Sequence, residues 1–403
     1  MGVPLALALS DISGGRTVLV VDDETAPTEG MLCAAAEQVS PDTVSFMALH
    51  GRGLVCVVLT AERMRRLGLR LLGPDERRGG TAFGPSFEAS RGVTTGISAA
   101  DRAATLRAAA AADAQPSDVV MPGHVFPIQG TPGGVLARAG LSEAALDLVQ
   151  LAGRGQAAVV CAVLDARGEL ASGEELLRIA EELRLPVVAL GDVVEQRLRC
   201  ETLVQRISEA ELPTAFGATF KAIVYQNSID RYEHIALVLG PLEPSAEVLV
   251  RVHSQCLTGD VLGSERCDCG EQLREAVRRI ADAGQGVVVY MHQEGRGIGL
   301  ANKLRAYALQ DQGRDTVEAN LELGFQGDLR NYGVAAQILR DLGITRVRLL
   351  TNNPSKIAGL DRYGVMVSAR EPIEVPPRPS NIAYLRAKQA KMGHLLTSLQ
   401  PPK

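Results

Sequence analysis

The chain has 403 residues, room for two or three domains, and its 46% hydrophobic and 22% charged residues are ordinary for a soluble globular protein. No apolar run approaches the roughly 20 residues of a membrane span, so no transmembrane segment or membrane partner is expected. A formal net charge of −5 argues against a general nucleic-acid binder. The opening MGVPLALALSDISGG is short and lacks a positive start, which argues against a secretory signal and makes the cytoplasm the expected location.

Arg16 to Asp23 (RTVLVVDD) has the β-branched character of a buried strand. Ser40-Pro41-Asp42 opens a helix with a cap, a proline at its first position and an acidic first turn. Leu54 to Leu59 is a second strand, and Thr60 caps the helix after it. SAADRAATLRAAAAA from Ser98, LSEAALDLVQLAG and EELLRIAEELRL are helices, with AAVVCAVL and PVVAL as strands. This alternation predicts an α/β or α+β layered domain. Glu201 to Pro213 is charged and reads as a linker or connecting helix. TFKAIVYQ, HIALVLG and EVLVRVHS then alternate in the manner of antiparallel strands, and further helix and strand patterns to the end of the chain complete a second α/β unit.

The third of those strands runs into Arg251-Val-His-Ser-Gln-Cys256-Leu-Thr-Gly-Asp260-Val-Leu-Gly-Ser-Glu-Arg-Cys267-Asp-Cys269-Gly270. A structural zinc site is normally closed by four protein ligands, whereas a catalytic one keeps a position open. Cys256, Cys267 and Cys269, with no fourth cysteine beside them, therefore read as a working zinc. The alternative is three reduced thiols packed without metal. Cys267-Asp268-Cys269 argues against it, because two thiolates that close repel unless a cation sits between them. The other cysteines, Cys33, Cys56, Cys161 and Cys200, read as buried reduced thiols, and no disulfide framework is apparent.

SQCLTGDVLGSERCDCGEQL, QEGRGIGLANKLRAYALQDQGRDTVEAN and RLLTNNPSK resemble the signature blocks of GTP cyclohydrolase II, over Leu212 to Leu396. The resemblance implies one Zn2+ on the three cysteines, Mg2+ accompanying GTP, attack at guanine C8, and release of formate and pyrophosphate. It implies a homodimer by analogy. It places Arg251, Val252, His253, Ser254, Gln255, Gln272, Glu294, Gly295, Arg296, Thr316, Thr351 and Lys356 around the substrate. Gly295, Gly297 and Gly299 would let backbone amides approach a phosphate. Tyr307 matches the position that contacts the opening ring, as proton donor or water orienter; the alternative is a tyrosine packed on a helix. Asp328 and Arg330 match a pair described as proton acceptor and nucleophile toward the α-phosphorus. Arginine is almost always protonated, so stabilisation of phosphoryl charge suits Arg330 better, and both roles stay open. Gln255, His292 and Asn331 depart from the usual pattern, which leaves a product stopped at the formyl stage as an alternative.

VVDDE, HGRGLVC, GTAF, TTGISAADR and PGHVFPI in the first half resemble 3,4-dihydroxy-2-butanone 4-phosphate synthase, which converts ribulose 5-phosphate to a four-carbon phosphate and formate. That family carries DDEDRENEGD around its magnesium, where this chain runs from Asp22 to Met31 and keeps only Glu29 of the later acidic cluster. The magnesium-ligating His of the family is Leu141 here, and a later catalytic Glu is Ala162. Magnesium demands oxygen-rich, nearly octahedral coordination, which Pro27, Met31, Leu141 and Ala162 do not offer. The leading expectation is therefore a synthase-like domain over 1–205 that has lost its activity, followed by a cyclohydrolase II domain over 206–403. The alternatives are a bifunctional enzyme, a diverged cyclohydrolase that retains the formyl group, and a zinc-stabilised scaffold.

Overall fold

The computed structural model describes residues 5–73, 81–229, 232–243, 247–312, 314, 318–319, 322–323, 332–397 and 399, without the side chains of Arg296 and Ala383. The chain divides into two compact units, Met1–Arg197 and Leu198–Lys403. Each is a mixed α/β layer structure, as the alternation of strand and helix patterns predicts.

In the first unit the described strands are β1 (Val18–Val21), β2 (Gly30–Ala35), β3 (Arg52–Leu59), β4 (Phe87–Ala89), β5 (Val119–Gln129), β6 (Ala157–Val163) and β7 (Val187–Ala189). They form one sheet in the order β4-β5-β3-β6-β2-β1-β7. All four residues of β1 are buried, because both sheet faces are covered. Leu19 and Val21 join a core layer with Leu106, while Val18 and Val20 join the opposite one with Leu148 and Val149. The helix Leu5–Ser13 contributes Ala8 and Ile12 to that second layer. Ser40, Thr60 and Ser98 cap their helices by accepting from the amides of Thr43, Arg63 and Asp101. The carboxylate of Asp101 takes the amides of Thr94 and Gly96, so this turn is organised internally.

The second unit contains β8 (Val204–Pro213), β9 (Thr219–Asn227), β10 (Glu233–Leu239), β11 (Val248–Ser254), β12 (Gly286–Met291), β13 (Arg346–Leu350) and β14 (Met366–Glu371), in the order β14-β13-β11-β12-β10-β9-β8. Two expectations are corrected here. The charged stretch read as a linker is the edge strand β8, which pairs antiparallel with β9 from Val204 to Pro213. And β11 is parallel to both its neighbours, β12 and β13, with only β8, β9 and β10 antiparallel. Cys33, Cys56 and Cys161 are buried, and burial pushes their thiols up to about 12, 12 and 11, whereas Cys200 is exposed, contrary to expectation.

Candidate active site

The order β13-β11-β12 sets the place of the site. The chain leaves β11 toward β12 and returns across β11 to reach β13, so the connections diverge at the carboxyl end of β11, where open α/β sheets bind ligands. Three segments meet there: the cysteine loop after β11, Gln293-Glu294-Gly295 after β12, and Thr351-Asn352-Asn353 after β13. Gly295 turns the second of these with φ 62°, a conformation that favours glycine.

Cys256, Cys267 and Cys269 present their sulfurs within 4.8 Å of one another, and Cys256 Sγ lies 3.6 Å from Cys267 Sγ. Tetrahedral zinc with Zn–S near 2.3 Å sets ligand sulfurs about 3.7 Å apart, so this donor set fits the ion. Glycines make the cluster possible. A Cβ on Gly259 would stand 2.9 Å from Cys267 Sγ and 3.2 Å from Cys256 Sγ, and one on Gly270 would stand 2.1 Å from the Gly259 carbonyl oxygen. Hydrogen bonds from Cys267 and Cys269, then the Lys303 ammonium, hold the Cys256 thiol far below its ordinary value, while Cys256 pushes Cys267 up to about 11.

Two buried polar chains hold this loop. In the first, Lys388 Nζ donates to Asp268 Oδ1 at 2.7 Å, Gln272 Nε2 donates to Asp268 Oδ2 at 2.6 Å, and Arg251 donates to Gln272 Oε1 at 2.7 Å and to the Leu350 carbonyl at 2.8 Å. In the second, Asp260 accepts from the Cys256 amide and from Tyr290 Oη, both at 2.9 Å, and lies 3.1 Å from His253 Nε2. His253 Nε2 is thus directed at Asp260, not at the thiols. Burial takes His253 down to about 4, despite Asp260, and burial with His292 nearby does the same to His234, so both imidazoles are neutral near pH 7.

The acid limb of stability follows. Between pH 6.5 and 4 the unfolded chain takes up two protons that these folded imidazoles refuse, so their contribution is full above 6.5 and is lost as pH falls toward 4. Each histidine should remove up to roughly 1.4 kcal/mol per pH unit. Urea denaturation between pH 7 and pH 5 should show a shallower loss for His234→Gln than for the parent chain, and equal slopes would refute this account.

Most residues expected at a nucleotide site line one cavity of about 120 Å³: Arg251, His253, Ser254, Gln255, Gln272, Glu294, Gly295, Thr351 and Lys356, together with Tyr307 and the three cysteines. Val252 differs. Its side chain is buried in the core and its carbonyl accepts from Lys356 Nζ at 2.8 Å. Glu294 is committed to the protein, accepting from the Leu257 amide at 2.7 Å and from Lys303 Nζ at 2.8 Å. Thr316, Asp328, Arg330 and the side chain of Arg296 lie outside the described residues. Tyr307 Oη is 3.4 Å from Thr258 Oγ1, and burial raises its hydroxyl above the ordinary tyrosine value, so it keeps its proton. Ser254 Oγ, Gln255 Oε1 and Asn353 Nδ2 are buried at the cavity without a protein partner. Buried polar atoms are nearly always hydrogen-bonded, so these three are placed for a ligand.

Lys303 and the carboxyl-terminal helix Ile382–Met392, whose Tyr384, Lys388 and Met392 line the cavity, are absent from the residues expected at the site. Among the described residues the lining carries four cationic side chains, Arg251, Lys303, Lys356 and Lys388, against one carboxylate, Glu294.

Residues 205–372 match the family model for GTP cyclohydrolase II, and residues 6–196 match that for 3,4-dihydroxy-2-butanone 4-phosphate synthase. A curated relative from Aquifex aeolicus (strain VF5), "Riboflavin biosynthesis protein RibBA", is 48% identical over 96% of this chain and 96% of its own length. The chain belongs to the RibBA family of riboflavin biosynthesis proteins. Its counterpart in Nocardia farcinica (strain IFM 10152) is 49% identical over 97% of this chain and 95% of that protein. The solved structure of RibBX from A. baumannii, described as a two domain 3,4-dihydroxy-2-butanone 4-phosphate synthase, superposes with a TM-score of 0.71 at 33% identity, over 92% of this chain and 99% of that one.

The carboxyl-terminal half is thus a GTP cyclohydrolase II domain, and the chain is a riboflavin-biosynthesis hydrolase by family. The expectation that the first half has lost the synthase is corrected. That half matches the synthase model from 6 to 196, and relatives 48% and 49% identical run through both halves. The match over the whole domain outweighs the departures at single positions, Pro27, Met31, Leu141 and Ala162. Met31 and Ala162 face each other across β2 and β6, and Asp22 and Glu29 remain close by, each at an end of the turn between β1 and β2. Burial and the Asp22 charge both raise Glu29 above the ordinary carboxylate value. Among the described residues no helix is long and apolar enough to cross a membrane.

Proposed function

We propose that the second unit is a zinc-dependent GTP cyclohydrolase II that opens the imidazole ring of guanine and releases formate and pyrophosphate, with Mg2+ accompanying the triphosphate. The observation that carries this is the juxtaposition of three thiols with a cavity of cationic lining. Zinc held by Cys256, Cys267 and Cys269 would supply the Lewis acidity that lets water add to an electrophilic carbon such as guanine C8. The protein's own groups do the rest. Arg251 and Lys356 are anchored on backbone carbonyls so that their charge faces a polyanion. Ser254, Gln255 and Asn353 offer hydrogen bonds to the base or sugar. Tyr307, protonated and next to the thiols, is the proton donor to a ring nitrogen.

The family match of the first half favours a second activity, formation of 3,4-dihydroxy-2-butanone 4-phosphate from ribulose 5-phosphate. Its divalent ion would draw on Asp22 and Glu29, whose mutual repulsion a cation relieves. The zinc-loaded full chain should release formate and pyrophosphate from GTP with Mg2+, and separately formate from ribulose 5-phosphate. Pyrophosphate without formate would replace ring opening by a diverged reaction. No turnover of GTP would overturn the first reading, and silence toward ribulose 5-phosphate the second.

A further inference from the structure

Lys303 lies on the helix Gly299–Asp311, one turn before Tyr307, yet it is only 9% exposed. Its Nζ is 3.1 Å from Cys256 Sγ and 2.8 Å from Glu294 Oε1, and it stands 5.7 Å from the centroid of the Tyr307 ring. Lysine is almost never buried without a partner, and one carboxylate would have sufficed. Here the ammonium is shared between that carboxylate and a sulfur. The other oxygen of Glu294 accepts from the amide of Leu257, the residue directly after Cys256. Lys303 and Glu294 therefore grip Cys256 from two sides, one at its sulfur and the other at the next peptide.

Three thiolates on a divalent cation leave one net negative charge, more electron-rich than a site built from neutral imidazoles. Such a site polarises water less, which works against hydrolytic chemistry. Hydrogen bonds and charge around the ligands are the means by which a protein adjusts this. We propose that Lys303 is a positioning and charge-compensating residue for the metal: its ammonium draws electron density from the Cys256 thiolate and Glu294 holds it there. This rests on the three cysteines being the metal site. It assigns Glu294 to the support of the metal rather than to reading the base.

The full chain loaded with Co2+ in place of Zn2+ tests the inference through the thiolate-to-cobalt charge-transfer absorption. Lys303→Met should move that band to lower energy, because a sulfur without the N–H donor gives up an electron more readily, while Lys303→Arg should stay near the parent. With Zn2+, Lys303→Met should lower kcat for formate release by about 10- to 100-fold. Since Lys303→Met leaves a buried carboxylate unpaired, the double variant Lys303→Met with Glu294→Gln removes both charges and should fold and show the same band shift. An unmoved band in the double variant overturns the role of Lys303 while leaving the metal site intact. Absence of any charge-transfer band from the parent chain overturns the metal reading and this inference with it.

Discussion

Cys267→Ser is expected to strip the chain of its metal and to end formate release from GTP. The loss should exceed the roughly 10- to 100-fold that follows removal of a ligand's supporting hydrogen bond, because the ligand itself is gone. A serine hydroxyl is a poor zinc donor near neutral pH, and two thiolates do not make a closed or a catalytic site. The thiol cluster adds a second expectation. Hydrogen bonds from the other two thiols and the nearby ammonium favour the Cys256 thiolate, while Cys256 raises Cys267 and Cys269 above their ordinary value. Zinc binding must then displace protons from the thiols. Calorimetry of zinc binding in buffers of different ionisation enthalpy would count them, and apparent affinity should fall on acidification below neutrality. Release of no protons would mean the cysteines are not the ligands. Metal analysis of Cys267→Ser gives the independent check, and full zinc occupancy in that variant would sink the assignment.

What could be read from the sequence was whatever had a local cause. The buried strands β1, β3, β6, β11 and β12 show as runs of valine and leucine, and the caps at Ser40, Thr60 and Ser98 show as hydroxyls before helical patterns. The edge strand β8 did not, because nine of its ten residues are exposed and no face alternates. Nor did the direction of β11, since β12, which separates it from β10, comes later in the chain. In the site the cysteines were legible from their spacing alone. Lys303 and Lys388 were not. Each is a lysine on a helix with a weak apolar face, the usual look of a solvated position, and it is tertiary packing that turns each ammonium inward. The synthase half teaches the opposite lesson, for there the reading by single residues misjudged a domain whose whole length matches.

Lys388→Met is expected to cost the second unit about 3 to 5 kcal/mol and most of its GTP turnover. Lys388 lies beyond residue 372, where the match to the cyclohydrolase model ends, and yet its ammonium is buried against Asp268, the residue between two of the three thiols. Burial opposes the charge on both partners, and their attraction overcomes it: Asp268 is held below the ordinary carboxylate value and Lys388 above the ordinary lysine value. In the parent chain this stabilisation is therefore present above the unfolded carboxylate pKa near 3.9 and lost as pH falls through the lower folded value. In Lys388→Met the largest attraction is gone, and burial of Asp268 is opposed only by the Arg251 charge and by hydrogen bonds such as that from Gln272, so the carboxylate rises from its parent value and the variant should gain less stability than the parent as pH rises above about 4. Asp268→Asn combined with Lys388→Met removes the buried charge and should recover much of the stability. It should not recover turnover, because the carboxylate that orients Gln272, and through it Arg251, is gone. Thermal melts of the two variants at pH 5 and 8, beside formate release at pH 8, separate these outcomes. If Lys388→Met melts with the parent at both pH values, the carboxyl-terminal helix is not the support of the thiol loop that its geometry describes.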